Sequence, residues 1–258
     1  MSVDAPEPPV IAFERVSKSF TRPDGGAFEA VRDLSFTIAR GELVAILGKT
    51  GCGKSTTFNL ISGLLRPSSG RVAVEGHDPF VEFDWFRGKI GIVFQNDRLM
   101  PWRGALDNVA LGLELNKVGR EERLAVARAW LGKLGLTGHE HDFPHALSGG
   151  MRQRVSIARA FAGKPDLLLC DEPFSALDEH TGNALRDEFR ELLRETGATA
   201  IFITHSIEEA LRLGGRLIVF ERPACIAYEA RSLAGLSDGE REAVRAGIRQ
   251  VLAADAAA

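Results

Sequence analysis

The chemically loaded residues with the tightest spacing are Gly48-Lys49-Thr50-Gly51-Cys52-Gly53-Lys54-Ser55-Thr56. They follow the pattern G-x-x-x-x-G-K-S, whose glycines let backbone N–H groups turn inward on phosphate oxygens. Lys54 supplies a compact cation for the outer phosphates, and the Ser55 hydroxyl is a ligand for Mg²⁺. Phosphoryl transfer also needs the cation held from a second side, a base for the attacking water and a group that senses the γ-phosphate. Asp171 follows four apolar residues and suits the metal. Glu172 comes next, and strand alternation turns it away from the metal toward water. Gln95 ends another apolar run, in reach of metal and water, and His205 ends a third, in reach of the γ-phosphate. Taken singly these residues are ordinary: a solvated strand end, an uninformative glutamine, a structural histidine. Behind one phosphate loop they point together to nucleotide hydrolysis. Cys52 lies at a helix start, where a thiol becomes more acidic, although a small residue that simply fits is the plainer account.

These groups need strands and helices to place them. Leu43–Leu47 is a continuous apolar run that reads as a buried strand leading into the loop. Phe58, Ile61 and Leu65 give a helical spacing leading out, stopping before Pro67. Val10–Val16 reads as a strand, and Leu34–Ile38 alternates as a half-exposed antiparallel strand does. Arg71–Val74, Ile90–Phe94, Leu167–Cys170, Ala200–Ile203 and Arg216–Phe220 are further strands. Helical spacing marks Glu121–Leu134, the stretch from Met151 to Ala162, and Leu185 to Leu193. Ser237 and Glu240 form a capping box that opens a helix with Val244, Ile248, Val251 and Leu252 on one face. Buried strands alternating with helices predict a parallel sheet covered on both faces. The expected organisation is a disordered leader at 1–9, a core from 10–95 and 164–225, a helical insert at 96–163 and a helical tail at 226–258 whose alanine-rich end frays.

Bulk composition narrows the function classes. The chain has 258 residues, 45% hydrophobic and 26% charged, with a net charge of −3. That balance lacks the basic footprint of a nucleic-acid binder. No apolar run reaches the ~18 residues of a membrane span. Three widely spaced cysteines fit a reducing compartment better than a disulfide framework.

The stretch Leu147-Ser148-Gly149-Gly150-Met151-Arg152-Gln153 resembles the L-S-G-G-x-x-Q signature of the ATP-binding cassette (ABC) ATPases. The resemblance covers roughly residues 10 to 225 and extends to every family element in order. Leu167–Glu172 matches Walker B, Ser175-Ala176-Leu177-Asp178 the D-loop, Gln95 the Q-loop and His205 the H-loop. Phe20 stands where the family carries an aromatic that stacks on adenine, usually Tyr. The resemblance implies an α/β fold: a P-loop NTPase parallel-sheet core, an antiparallel β subdomain and an inserted α-helical subdomain. It implies ATP and Mg²⁺ as cofactors, the metal held by Ser55, Gln95 and Asp171. It also implies a head-to-tail homodimer. There the Ser148-Gly149-Gly150 helix start and Gln153 of one copy, with Asp178 nearby, would meet the γ-phosphate held by Gly48–Thr56 of the other.

The resemblance further implies a transport motor on the cytoplasmic face of a membrane, working through separate permease subunits and, indirectly, an extracytoplasmic solute-binding protein. Leu99-Met100-Pro101-Trp102, the segment Asn108–Leu115 and Glu221-Arg222-Pro223 resemble the nitrate/sulfonate/taurine branch of importers, which handle small anions. Ser206, where Asp is common, and Ala224, where Gly often follows Arg-Pro, depart from that branch. Trp102 has two readings, part of a groove for a permease helix or part of the insert's own core. A non-transport ABC ATPase of cluster assembly or repair is the alternative, although the repair type carries a long coiled coil and no sustained heptads are present here. His139-Glu140-His141 reads as a solvated loop rather than a metal site. Arg152, Arg154 and Arg159 read as a solvated helix face.

Overall fold

The computed structural model describes residues 8–254. The expected leader therefore lies outside the described residues up to position 7, as does the end of the alanine-rich tail. Two compact units are present: one runs through Trp85 and resumes at Ile201, and the other is Phe86–Ala200.

In the first unit, β1 (Ile11–Thr21), β2 (Ala27–Ile38), β3 (Leu43–Leu47), α1 (Lys54–Ile61) and β4 (Ser69–Val74) follow in order. An antiparallel sheet has the order β2-β1-β4. Leu34, Phe36 and Ile38 point inward while Ser35 and Thr37 are exposed, as the alternation predicts. Phe13 opposes Phe36 and stacks on it at 4.6 Å between ring centroids. β1 continues well past Val16, pairing through Phe20 with Phe28. α1 stops at Ile61, short of Leu65. Gly63 takes φ 73°, and the N–H groups of Leu64 and Leu65 both donate to Asn59 O, which closes the helix end.

β3 lies parallel to β8 (Arg216–Glu221), and β9 (Cys225–Ala230) runs antiparallel along β8. β3 and β8 are buried except at Leu43, Arg216 and Glu221 on their ends, the mark of strands covered on both faces. One cover is α6 (Ile207–Leu213) with α7 (Asp238–Ala254). Ala210, Leu211 and Ile248 pack on Ala45, Leu47, Leu217 and Val219. The capping box that opens α7 forms as read: Ser237 N–H donates to Glu240 Oε2 at 2.8 Å, and Glu240 N–H to Ser237 Oγ at 3.4 Å. β9 departs from the sequence reading, which places helical tail from residue 226. Its six residues are all half-buried, so no alternation announces a strand.

In the second unit, β5 (Ile90–Val93) lies parallel to β6 (Leu167–Asp171). Four helices accompany them: α2 (Ala105–Leu115), α3 (Arg120–Lys133), α4 (Gly149–Ala162) and α5 (Glu179–Thr196). Their core is a row of rings. Trp130 of α3 stacks on Phe161 of α4 at 5.3 Å, Phe161 meets Phe189 of α5 edge-on at 5.5 Å, and Phe189 meets Phe174 edge-on at 5.9 Å. Edge-to-face pairs of this kind add roughly 0.5–1.5 kcal/mol each beyond their burial. The chain returns to the first unit through β7 (Thr199–Thr204), whose six residues are all buried.

Candidate active site

The phosphate-type loop sits between β3 and α1, the context its pattern requires. Gly53 precedes the helix with φ 106°, a conformation that costs a residue with a Cβ heavily. A methyl group there would collide with Ala30 O. At Gly48 it would lie 2.6 Å from Cys52 Sγ and 2.9 Å from Phe220 O. The loop is therefore packed closely against its own unit at Gly48 and Gly53. Lys54 is buried, and its Nζ donates to Gly48 O at 2.6 Å and Lys49 O at 2.9 Å, which fixes the cation at the loop mouth. Ser55, Thr50 and Gly51 are exposed, and Lys49 and Thr56 are half-exposed. Cys52 is buried, so it fills space under the loop rather than presenting a thiol.

Two other sequence-read residues belong to this unit. Phe20 is half-buried on β1, with Lys18 Nζ 5.2 Å from its ring centroid. His205 is exposed directly after β7. Around it, Ser206 N–H donates to Thr204 Oγ1 at 3.0 Å, Thr204 Oγ1 donates to Glu209 Oε2, and Glu209 N–H donates to Ser206 Oγ at 3.2 Å.

The carboxylates lie in the second unit. Asp171 is the last residue of β6, and Glu172 is the first beyond it; both are half-buried. Strand alternation does not aim Glu172. It takes φ 46°, a left-handed conformation unusual for glutamate, and Ser175 N–H and Oγ both donate to Glu172 O to hold the turn. Strained backbone of this sort costs about 1–3 kcal/mol and gathers at functional sites. Gln95, just past β5, reaches Glu172 Oε2 with its amide Nε2 at 3.4 Å. The two side chains assigned to the attacking water thus meet.

The signature residues open α4. Ser148 is the helix cap, its Oγ accepting from Met151 N–H at 3.3 Å. Ser148 and Gly149 are exposed and Gly150 half-exposed, leaving backbone donors at a helix start, where the dipole favours anions. A methyl on Gly150 would lie 2.9 Å from Thr181 Cγ2. Thr181 N–H in turn donates to Asp178 Oδ1, the cap of α5. Signature and D-loop are therefore neighbours, with Asp178 exposed. Gln153 is buried and donates to Phe94 O at 3.4 Å, tying the signature helix to the residue before Gln95.

The three arginines of this helix are not a solvated face. Arg152 bonds Asp97 Oδ2 and Leu147 O, Arg154 makes a paired contact with Glu188 and bonds Leu134 O, and Arg159 donates to Arg98 O and Asp97 O. Burial pulls the Arg159 guanidinium pKa down, opposed by the charge of Asp97. Five donors on one planar group make arginine a latch for carbonyls, a role that charge spacing does not reveal. Sequence reading named Asn108 only within the branch-like segment Asn108–Leu115 and did not foresee its role as a fully buried amide on α2. It accepts from Met100 N–H at 2.7 Å and donates to the carbonyls of Met100, Arg103 and Gly104. With the loop pinned this way, Trp102 stands 71% exposed and is not part of the insert's core. Close by in sequence, Ile90, Phe94, Met100, Leu111 and Leu115 line an apolar cavity of about 400 Å³.

Comparison with known proteins bears on the family and the fold. Residues 31–175 match the ABC transporter family. The taurine import ATP-binding protein TauB of Pseudomonas aeruginosa is 44% identical over 210 residues, 81% of this chain and 78% of that one. The Fe(3+) ions import ATP-binding protein FbpC of Rhizobium etli is 42% identical, over 83% of this chain and 59% of that protein. The dimeric post-hydrolysis structure of the ATP-binding cassette MJ0796, bound to ADP and Pi, superposes with a TM-score of 0.76 at 34% identity, covering 88% of this chain and all of that one. Motif order, local geometry and likeness over most of the length converge, and this chain belongs to the ABC transporter family as one of its ATPases.

Proposed function

We propose that the chain is the ATP-hydrolysing motor subunit of an importer for a small anion of the nitrate, sulfonate or taurine type. In this reading two copies close head to tail on two ATP molecules. Each copy offers Gly48–Thr56 to one nucleotide and its Ser148-Gly149-Gly150 helix start, with Asp178 beside it, to the other; Gln153, expected at the nucleotide, is buried against Phe94 O and supports that helix from within. The observation that carries the reading is the exposure of Ser148 and Gly149 at the start of α4. A twofold pairing lets two identical such patches satisfy each other.

Phe20 takes the adenine face and Lys54 the outer phosphates. Ser55 of the first unit and Gln95 and Asp171 of the second each carry an oxygen of the kind Mg²⁺ prefers and would hold it, and the metal when bound would offset phosphate charge. Glu172 polarises the attacking water, positioned with help from Gln95, and His205 contacts the γ-phosphate. Loss of that phosphate removes the shared ligand and reopens the pair. No helix of the described residues is long and apolar enough to cross a membrane; separate permease subunits supply the path, with this subunit on the cytoplasmic face and an extracytoplasmic binding protein delivering solute. The apolar cavity beside Met100, and the projecting Trp102, suit a short amphipathic permease segment.

Gel filtration with ATP and EDTA tests the pairing. The wild-type chain shifts to a dimer, and Ser148→Arg stays monomeric while still binding ATP. An unchanged dimer peak in that variant refutes the sandwich. For the solute, deletion of the gene is expected to abolish growth on taurine or another sulfonate as sulfur source, or on nitrate as nitrogen source. Normal growth on all of them removes the anion assignment. Copurification in detergent checks the permease, and purely soluble partners would count against transport.

A further inference from the structure

We propose that Thr204 and Glu209 are positioning residues for His205, holding it through a closed ring of hydrogen bonds; this rests on the reading that His205 contacts the γ-phosphate. Thr204 ends β7 at 1% exposure, Glu209 lies inside α6 at 6%, and His205 stands exposed between them in sequence. The ring runs from Ser206 N–H to Thr204 Oγ1, from that hydroxyl to Glu209 Oε2, and from Glu209 N–H back to Ser206 Oγ. Every bond spans the histidine or anchors a residue that does.

The ring has a physical cost that packing alone does not explain. A carboxylate brought out of water is expensive unless hydrogen bonds answer it. An apolar residue would fill the place of Glu209 more cheaply. The return is definition. α6 has only seven residues, too few to be stable by helix propensity alone. Ser206 caps it, and Thr204 fixes the peptide N–H that follows His205. The backbone on both sides of the histidine is thereby set by the side chains of Thr204, Ser206 and Glu209, one position before it, one after it and four after it. A catalytic contact misplaced by about 1 Å costs roughly 10²-fold in rate, so loss of the ring is read in turnover rather than in nucleotide affinity.

The experiment compares His205→Ala, Thr204→Val, Thr204→Ser and Ser206→Ala in ATP hydrolysis, with ATP affinity and thermal melting alongside. Thr204→Val keeps the shape and deletes the hydroxyl. We expect it to lower kcat about tenfold or more, with KM for ATP moved by less than about twofold. Thr204→Ser restores the hydroxyl and is expected to recover most of the loss. Ser206→Ala removes one bond of the ring and is expected to fall between them; it carries the test if Thr204→Val melts early. Full kcat in both Thr204→Val and Ser206→Ala, with His205→Ala inactive, overturns the ring and leaves the reading of His205 standing. Full turnover in His205→Ala overturns that reading itself. A shift in KM with kcat unchanged would assign the ring to binding and also overturn the proposal.

Discussion

A methyl group on Gly53, at the start of α1, would run into Ala30 O, whereas on Gly149, at the start of α4, it would meet nothing nearer than an Arg152 nitrogen at 3.9 Å. Gly53 also needs its φ of 106°. Gly149 sits in an ordinary helical turn, exposed, where glycine costs roughly 0.5–1 kcal/mol relative to alanine. The first helix start is glycine-rich because its own unit presses against it. The second has no such internal reason at Gly149. Its bareness is what the proposed contact with a γ-phosphate held by a second copy would need.

That contrast can be broken or sharpened by substitution. The largest effect belongs to Glu172→Gln, which should separate holding nucleotide from cleaving it. Turnover is expected to fall about 10²–10⁴-fold, the range for a lost general base, while ATP binding, followed by fluorescence of a labelled nucleotide, stays near wild type. Turnover within a few fold of wild type would reassign the base. Gly53→Ala comes next. Strain plus collision should cost about 2–4 kcal/mol in folding stability and weaken ATP binding as well, both visible in melts with and without nucleotide. Gly149→Ala is the counterpart. Its stability is expected to hold or rise by up to about 1 kcal/mol, yet ATP-driven dimerisation and hydrolysis should drop. If it dimerises normally, the proposed contact has been wrongly placed.

The smallest effect is a control within the second unit. Arg103 bonds Glu114 at 3.0 and 3.2 Å, and Arg123 lies 3.6 Å from the same carboxylate. The Arg103 hydrogen bond holds Glu114 below the usual carboxylate pKa, burial opposing and the charges of Arg103 and Arg123 adding to it. A depressed folded pKa contributes stability above the unfolded value, near ~4.3, and that contribution is lost as pH falls through the folded value. The melting difference between wild type and Glu114→Gln should therefore be small and constant from about pH 5 to 8, and close in more acid. A difference that grows in acid would contradict the latch.

Much of this was readable from the chain itself because the signals were local. A strand, a glycine loop and a helix follow one another at Leu43–Ile61 with a fixed spacing, and Ser237 and Glu240 cap each other three residues apart. What hid was either non-local or off-pattern. α2 buries Asn108 among its apolar residues, and a polar residue on the inner face blurs helical periodicity. β9 is half-buried throughout and shows no period of two. Glu172 is aimed by a left-handed turn, which residue type does not foretell. The arginines of α4 spend their donors on carbonyls up to 62 positions away, a partnership invisible to any window of sequence.

The row of rings from Trp130 to Phe174 has a mechanical consequence. Phe161 rides on the helix that Ser148 begins, and Phe174 lies two residues beyond Glu172. Close-packed aromatics hardly compress. Displacing α4 would therefore press Phe161 on Phe189, and Phe189 on Phe174, instead of being absorbed by soft side chains.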